Sequence, residues 1–229
     1  KNILSAERPV IYAGGGVILG NAHKELIALN KILKVPVTNT LMGLGSYPAN
    51  NKHFMGMLGM HGTYQANMAM HNADLIIAIG ARFDDRITNT PALFAPKARI
   101  IHIDVDPASI SKIINADIPI VGQVKESLNA LIKEIKRSKL KIDSDAIDSW
   151  NSQIATWRAK HGLDHELYLK KTKSKMILPQ VVVQELYQAT NGNAWVTSDV
   201  GQHQMFVAQY YHFNKPRRWI NSGGLGTMG

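Results

Sequence analysis

Over its first 136 residues this sequence predicts a doubly wound α/β fold, a parallel sheet wrapped by helices, and three observations predict it. Short β-branched and apolar runs alternate with stretches of helical periodicity. The runs are apolar at nearly every position, not at alternate ones, which implies burial on both faces of a sheet. Each run is followed by glycine, polar or acidic residues, at the strand ends where open sheets of this class bind ligands.

In chain order, strands are expected at residues 10–13, 35–39, 74–79, 99–104 and 118–121. Helices are expected at 22–34, 63–72, 107–114 and 125–136. In the last of these Leu128, Leu131, Ile132 and Ile135 fall on one stripe. Residues 41–61 hold glycine at positions 43, 45, 56 and 59 without sustained periodicity and read as a long loop. A second loop covers 82–96. Loops of that length in a compact domain are usually functional, and both follow strand ends, so a ligand crevice is expected there.

Residues 138–175 read as a polar, basic connection with one helix at 147–160, whose Trp150, Ile154 and Trp157 share a face as packing anchors. Pro179 then opens a helix through Ala189, as a proline at the first helical position does, and a strand at 194–197 ends in Ser198 and Asp199. The expected organisation is a central α/β domain at 1–137, a basic linker with a helix at 138–175, and the start of a second α/β domain at 176–229. That second domain is expected to be incomplete, because the glycine-rich stretch 222–229 reads as the entry to a further helix.

Composition excludes several chemistries. A chain of 229 residues with 45% hydrophobic content buries a core without cross-links, and the absence of cysteine excludes disulfides, thiolate nucleophiles and iron–sulfur or zinc-thiolate sites. No run of about 18 apolar residues occurs, and residues 1–8 lack the apolar stretch of a signal peptide, so no membrane partner is expected. The net charge of +9 is uneven. Lys133, Lys136, Arg137, Lys139 and Lys141 crowd one end of the connection and Lys170, Lys171, Lys173 and Lys175 the other, with no aromatic residues interleaved. They read as a solvated linker, not as a nucleic-acid surface.

Several local patterns carry candidate chemistry. Gly14, Gly15 and Gly16 follow the first strand and precede a helix, a place where backbone can approach a phosphate or simply turn tightly. The match to a dinucleotide fingerprint is imperfect: Leu19 stands where a third glycine belongs, and Thr38, Asn39 and Thr40 replace the acidic ribose hook, which argues against a standard NAD site. The run from Gly80 through Ala81, Arg82, Phe83, Asp84 and Asp85 to Arg86 clusters charge just beyond a buried strand. It reads either as a pyrophosphate clamp or as a self-satisfied surface ion-pair loop. Asp104 and Asp106 stand either as ribose ligands or, for Asp106 before Pro107, as a helix cap. His161 and His165 have helical spacing, but Gly162 and the lack of a third ligand disfavour a metal pair, and no serine-hydrolase elbow is present. His203 beside Gln202 follows a strand end.

Seven segments in order resemble the acetolactate synthase (acetohydroxyacid synthase) large catalytic subunits, members of the thiamine-diphosphate enzymes, across essentially the whole chain. They are Arg8 to Ile11 with the glycine triplet, Thr40 to Gly45, Leu58 to Thr63, Gly80 to Arg86, His102 to Asp106, Val200 to Gln204, and Ser222 to Gly229. The resemblance implies a Rossmann-like central domain that holds FAD through Gly15, Thr40, Leu41, Leu58, Gly59, Met60, His61, Gly80, Ala81, Arg82, Phe83, Asp84, Asp104, Val105, Gln123, Val124 and Gly223. Here Gln123 stands where the family usually has aspartate. Asp85 and Arg86 are implied at the mouth of the substrate channel. Thiamine diphosphate is implied at Gln202, His203, Gly226, Thr227 and Met228, with Met228 as the wedge that bends it.

Further implications follow from the same resemblance. The reaction is condensation of two pyruvates, or pyruvate and 2-ketobutyrate, with loss of carbon dioxide, in valine and isoleucine biosynthesis, with a flavin that is largely structural. The family's activating glutamate and its Mg2+ ligands belong to segments outside these residues, so no catalytic or metal-binding residue is expected within them and the 229 residues alone are expected to be inactive. A homodimer or homotetramer, a small regulatory subunit and a cytoplasmic (bacterial) or organellar location are implied. The alternatives are a sister carboligase or oxidase such as glyoxylate carboligase, or a nucleotide-binding module without catalysis.

Overall fold

The computed structural model describes residues 1–139, 141–163 and 177–229. Its first unit is a six-stranded, all-parallel sheet in the order β3-β2-β1-β4-β5-β6, the order of doubly wound nucleotide-binding sheets. The strands are β1 (Pro9–Ala13), β2 (Val37–Asn39), β3 (Phe54–Met57), β4 (Leu75–Ile79), β5 (Arg99–Asp104) and β6 (Ile118–Val121). Strand order reverses at β1, whose two sides pair with β2 and β4. The crevice therefore opens at the carboxyl ends of β1 and its two neighbours.

The apolar runs of β1, β2, β4 and β5 are buried on both sides, as expected, whereas β6, at the sheet's edge, is not: its residues alternate between half-buried and exposed. Ile11, Ile77, Ile79, Ile101 and Ile103 face Leu26, Leu29 and Leu33 of α2 (His23–Leu33) and Leu128 of α5 (Val124–Arg137). Val10, Tyr12, Ile76, Ala78 and Ile100 face α3 (Tyr64–Asn72) and α6 (Ser144–His161). The tryptophans are packing anchors: Trp150 is buried, donates Nε1–H to the Pro9 carbonyl at 3.2 Å, and meets Trp157 edge to face. Asp143 begins α6 by accepting the Asp145 and Ala146 amides, as a helix cap does.

Two expectations are corrected. The loop at 41–61 contains β3, an edge strand of four residues. Its alternately half-buried positions and Gly56, at φ +93°, hide it from a search for apolar runs. The expected helix at 107–114 is only a 3-10 turn, Pro107–Ser109, because Ser111 adopts φ +56° and breaks the helical path. Short helices α1 (Gly15–Leu19) and α4 (Asp85–Thr88) follow β1 and β4.

The second unit pairs β7 (Val196–Ser198) with β8 (Trp219–Asn221) in parallel, flanked by α7 (Pro179–Ala189) and α8 (Gln202–Tyr210). Its core of Val183, Val196, Ala208, Tyr211, Phe213 and Trp219 also takes in Leu44 and Met57 of the first unit, so the two share apolar packing. Between them, the Ala49 amide donates to the Phe213 carbonyl at 3.3 Å and the Asn50 amide to Asn214 Oδ1 at 2.9 Å. The basic run at Lys170, Lys171, Lys173 and Lys175, and His165, lie outside the described residues. Among the described residues no helix is long and apolar enough to cross a membrane.

Candidate functional site

At the carboxyl edge of the sheet the glycine triplet meets Gly80. The Gly14 amide donates to the Ile79 carbonyl and the Gly16 amide to the Gly80 carbonyl, at 2.9 and 3.0 Å. A Cβ on Gly14 would stand 2.1 Å from the Gly80 oxygen, and one on Gly80 would stand 2.6 Å from Gly16 Cα. Only paired glycines allow this approach. From the other side, Gly43 lies against Ala13 and Gly14, and the Thr40 amide donates to the Ala13 carbonyl at 3.0 Å. Met42 Cβ comes within 3.2 Å of the position a Cβ on Gly15 would take.

The run from Gly80 to Arg86 joins this cluster to the Met60–His61 turn. Arg86 accepts the Met60 amide at its carbonyl, 2.9 Å away, and the same carbonyl leaves no room for a Cβ on Gly59, at φ +103°. The triplet, the 80–86 loop and the 58–62 turn thus form one continuous wall at one edge of the sheet. Met42, Met60 and Val105 expose apolar side chains along it, with Met60 63% exposed. Such exposure is the kind of surface a planar, apolar ligand covers.

Its support lies beneath. His102 is fully buried, and its Nε2 lies 2.9 Å from the Ala81 carbonyl. Burial holds its pKa below the usual 6.5. A neutral ring with the proton on Nε2 therefore donates to Ala81 and fixes the peptide preceding Arg82. Phe83 presents an edge-to-face contact to His102 and packs on Tyr12. Asn39, also buried, donates Nδ2–H to the Gly43 carbonyl and to Ser46 Oγ. Thr38 donates to the Gly56 carbonyl at 2.8 Å. Thr38 thus ties β2 to β3, and Asn39 holds the 43–46 loop.

The individual candidates differ in what they offer. Arg82 pairs with Asp84 at 2.8 Å, with both side chains largely exposed, which is the ion-pair reading of this loop. Asp85 and Arg86 are exposed at the start of α4, 4.0 Å apart. Leu58, Ala81, Phe83 and Val124 are buried and pack into the core. Thr40 Oγ1 accepts the Gly43 amide, and Leu41 opens the 3-10 turn that follows. Asp106 accepts the Ala108 amide, which is the cap reading, whereas the nearly buried Asp104 accepts the Asp106 amide. The Gly122 amide donates to the Asp104 carbonyl and brings exposed Gln123 beside Asp104 and Val105.

On the second unit, the Val200 amide donates to the Thr227 carbonyl at 2.8 Å, and this brings Gln202 and His203 to the same end as Gly226, Thr227 and Met228. Met228 is 76% exposed. An apolar cavity of about 510 Å3, lined by Ile177, Pro179, Val182, Val183, His203 and Phe206 with Val207, borders His203 but none of the first unit's loops. Gly223 stands at the junction: at φ +54°, a Cβ there would lie 2.9 Å from Met42 Sδ. His161 stacks on Tyr64 with ring centres 4.3 Å apart, and among the described residues no group of three potential ligands could hold a metal ion.

Sequence reasoning missed Asn67 and Gln209. Asn67 accepts the Gly59 amide and donates to the Gly59 carbonyl, at 2.9 and 3.0 Å, and Gln209 donates to the His61 carbonyl at 2.7 Å. No local pattern marks either residue, since each matters only through a partner remote in its role.

Residues 1–131 match the family described as "Thiamine pyrophosphate enzyme, central domain", and residues 199–229 match "Thiamine pyrophosphate enzyme, C-terminal TPP binding domain". The chain is 51% identical over 229 residues to the acetolactate synthase isozyme 3 large subunit of Escherichia coli K12, covering 100% of this chain and 39% of that protein. It is 52% identical to the acetolactate synthase large subunit of Buchnera aphidicola subsp. Schizaphis graminum, covering 99% of this chain and 38% of the relative. To the chloroplastic acetolactate synthase 1 of Nicotiana tabacum it is 42% identical, covering 99% and 33%. The chain thus spans less than two fifths of the length of these relatives.

Proposed function

The chain belongs to the thiamine pyrophosphate enzyme family, and we propose on that premise that it forms the flavin-holding region, and part of the thiamine-diphosphate site, of an acetolactate synthase large subunit. The observation that carries this reading is the single wall built from the glycine triplet, the 80–86 loop and the 58–62 turn at the switch point of the sheet. Had those loops lain on opposite faces, no extended nucleotide could touch all three.

The wall fits a long, diphosphate-bridged nucleotide by its chemistry. The glycines at the start of α1 let the Gly80 backbone pack directly against it, which fixes the base of the loop that carries Arg82. Arg82 is exposed beside them and needs only to leave Asp84 to face a diphosphate. Asp104, Val105 and Gln123 supply an acceptor, an apolar face and an amide for the adenosine end. Met60 and Met42 offer polarisable apolar contact to a ring system. In this role the first unit binds and orients; it moves no proton.

Thiamine diphosphate supplies, when bound, the carbanion chemistry that joins two 2-keto acids with loss of carbon dioxide. Toward it, Gln202 and His203 offer donors at the start of α8, where backbone amides also favour phosphate, and Met228 offers an apolar support. Arg86 presents an exposed guanidinium beside the 58–62 turn that suits the carboxylate of an entering acid, with Asp85 4.0 Å away as its partner. A small regulatory subunit belongs to the same proposal through the large-subunit names of the relatives, and Mg2+ and a homodimer or homotetramer of catalytic subunits belong to it through the family resemblance alone.

The test is the visible absorbance of the purified chain after incubation with FAD and desalting. A retained flavin band is expected, and Arg82→Ala is expected to weaken FAD binding about tenfold, the loss of one charge-assisted contact. No retained band, or an Arg82→Ala variant that binds as the wild type does, would overturn the assignment of this wall.

A further inference from the structure

The 58–62 turn is held mainly by its own unit. The Leu58 amide donates to the Asn39 carbonyl at 3.1 Å, Asn67 grips both polar groups of the Gly59 peptide backbone, and the Met60 amide donates to Arg86. The Gly62 amide closes the turn onto the Gly59 carbonyl at 2.9 Å. One anchor comes from elsewhere: the His61 carbonyl accepts from Gln209 Nε2 at 2.7 Å, across 148 residues of sequence. Without it the crest of the turn, Met60 and His61, would have support on one side only.

Gln209 is well placed to act as a fixed arm. It sits in the last turn of α8, between the buried Ala208 and Tyr210. The helix is locked by Gln204, which donates to Asn221 Oδ1 at 2.9 Å, while Asn221 donates to the Ser198 carbonyl and accepts the Gly223 amide. The first residues of the same helix, Gln202 and His203, are the diphosphate candidates, roughly 10 Å away along the axis. A single rigid helix therefore begins at one proposed cofactor site and ends on the crest of the other.

We propose that Gln209 is a positioning residue for the flavin site, acting through the His61 carbonyl, so that the flavin-contacting turn is completed only when the second unit is docked. This rests on the reading of 58–61 as flavin contacts. The interaction demands an N–H donor, since its target is a carbonyl. Gln209→Glu keeps the length but offers a carboxylate that repels the carbonyl, whereas Gln209→Lys keeps a donor.

Two readouts test it on the chain as it exists: amide hydrogen exchange across residues 58–63 without ligand, and the dissociation constant for FAD from flavin fluorescence quenching. Gln209→Glu is expected to speed exchange at Met60 and Gly62 and to weaken FAD five- to tenfold, the effect of one lost hydrogen bond. Gln209→Lys is expected to stay within about twofold of wild type in both. Unchanged exchange across β4 reports that each variant is folded. Wild-type behaviour of Gln209→Glu, or equal losses in the Glu and Lys variants, overturns the proposal. If the wild-type chain retains no FAD, the flavin reading fails, and the exchange comparison alone decides whether Gln209 holds the turn.

Discussion

The two units of this chain solve the problem of presenting glycine-rich backbone in opposite ways. In the first, Gly14, Gly16, Gly43 and Gly80 are packed so closely that an added Cβ would meet backbone atoms within 2.1–2.6 Å. In the second, Gly224, Gly226 and Gly229 have nothing within 4 Å, and Leu225 and Met228 beside them are exposed. Six strands with helices on both faces enclose the first set, whereas a two-stranded sheet backs the second. Glycine in the first set is a packing requirement, whereas at Gly224 an added Cβ meets no described atom within 4 Å.

The sharpest test of that contrast is one substitution made in both places. Gly14→Ala drives a methyl into the Gly80 carbonyl and is expected to cost about 3 kcal/mol, lowering the thermal midpoint by roughly 6–12 °C. Gly224→Ala is expected to shift it by less than about 2 °C, as surface changes do. Equal effects in circular-dichroism melts would erase the distinction.

A smaller effect follows from how the first wall is supported. Burial lowers the pKa of His102 below 6.5 in the folded chain, so the unfolded chain takes up its proton first as pH falls. His102 therefore contributes stability that is present above pH 6.5 and is lost below it. His23, His53 and His212 are shifted in the same direction, so the slope is shared. Between pH 6.5 and 5.5 the wild type is expected to lose more stability than His102→Gln, by less than about 1 kcal/mol, because glutamine keeps a donor for Ala81 but does not titrate. Denaturant melts at the two pH values measure the difference, and parallel slopes would remove His102 from the support.

The smallest effect concerns the seam. Arg217 donates to the Ile18 carbonyl at 3.1 Å from an exposed position, tying the second unit to the end of α1. Arg217→Ala is expected to cost under about 1 kcal/mol, a shift of roughly 1–3 °C. A larger loss would mean that the second unit carries more of the first unit's stability than the shared core of Leu44, Met57 and Phe213 implies.

Much of the first unit was legible because burial on both faces leaves a mark in composition. The runs around Val10, Ile76 and Ile100 read as strands without any knowledge of their neighbours, and all three are buried. The edge strand Phe54–Met57 left no such mark, since half its side chains are only partly covered and Gly56 interrupts it. Ser111 ended a helix that propensity favoured, through a left-handed backbone that no local pattern announced. The candidate wall was legible as three separate glycine and charge clusters. Asn67 and Gln209, which hold it, were not, because an amide side chain looks the same in sequence whether it meets a carbonyl or water.

By itself the sequence determined most of the elements, the absence of cysteine chemistry in these residues and the places where strand ends expose polar and glycine residues, because periodicity and composition act over neighbouring positions. Only the tertiary structure decided that the triplet, the 80–86 loop and the 58–62 turn share one edge, and that Gln209 reaches the last of them. Those meetings depend on strand order and on the docking of one unit against another. Both are set by the burial of surfaces far apart in the chain, which no local pattern records.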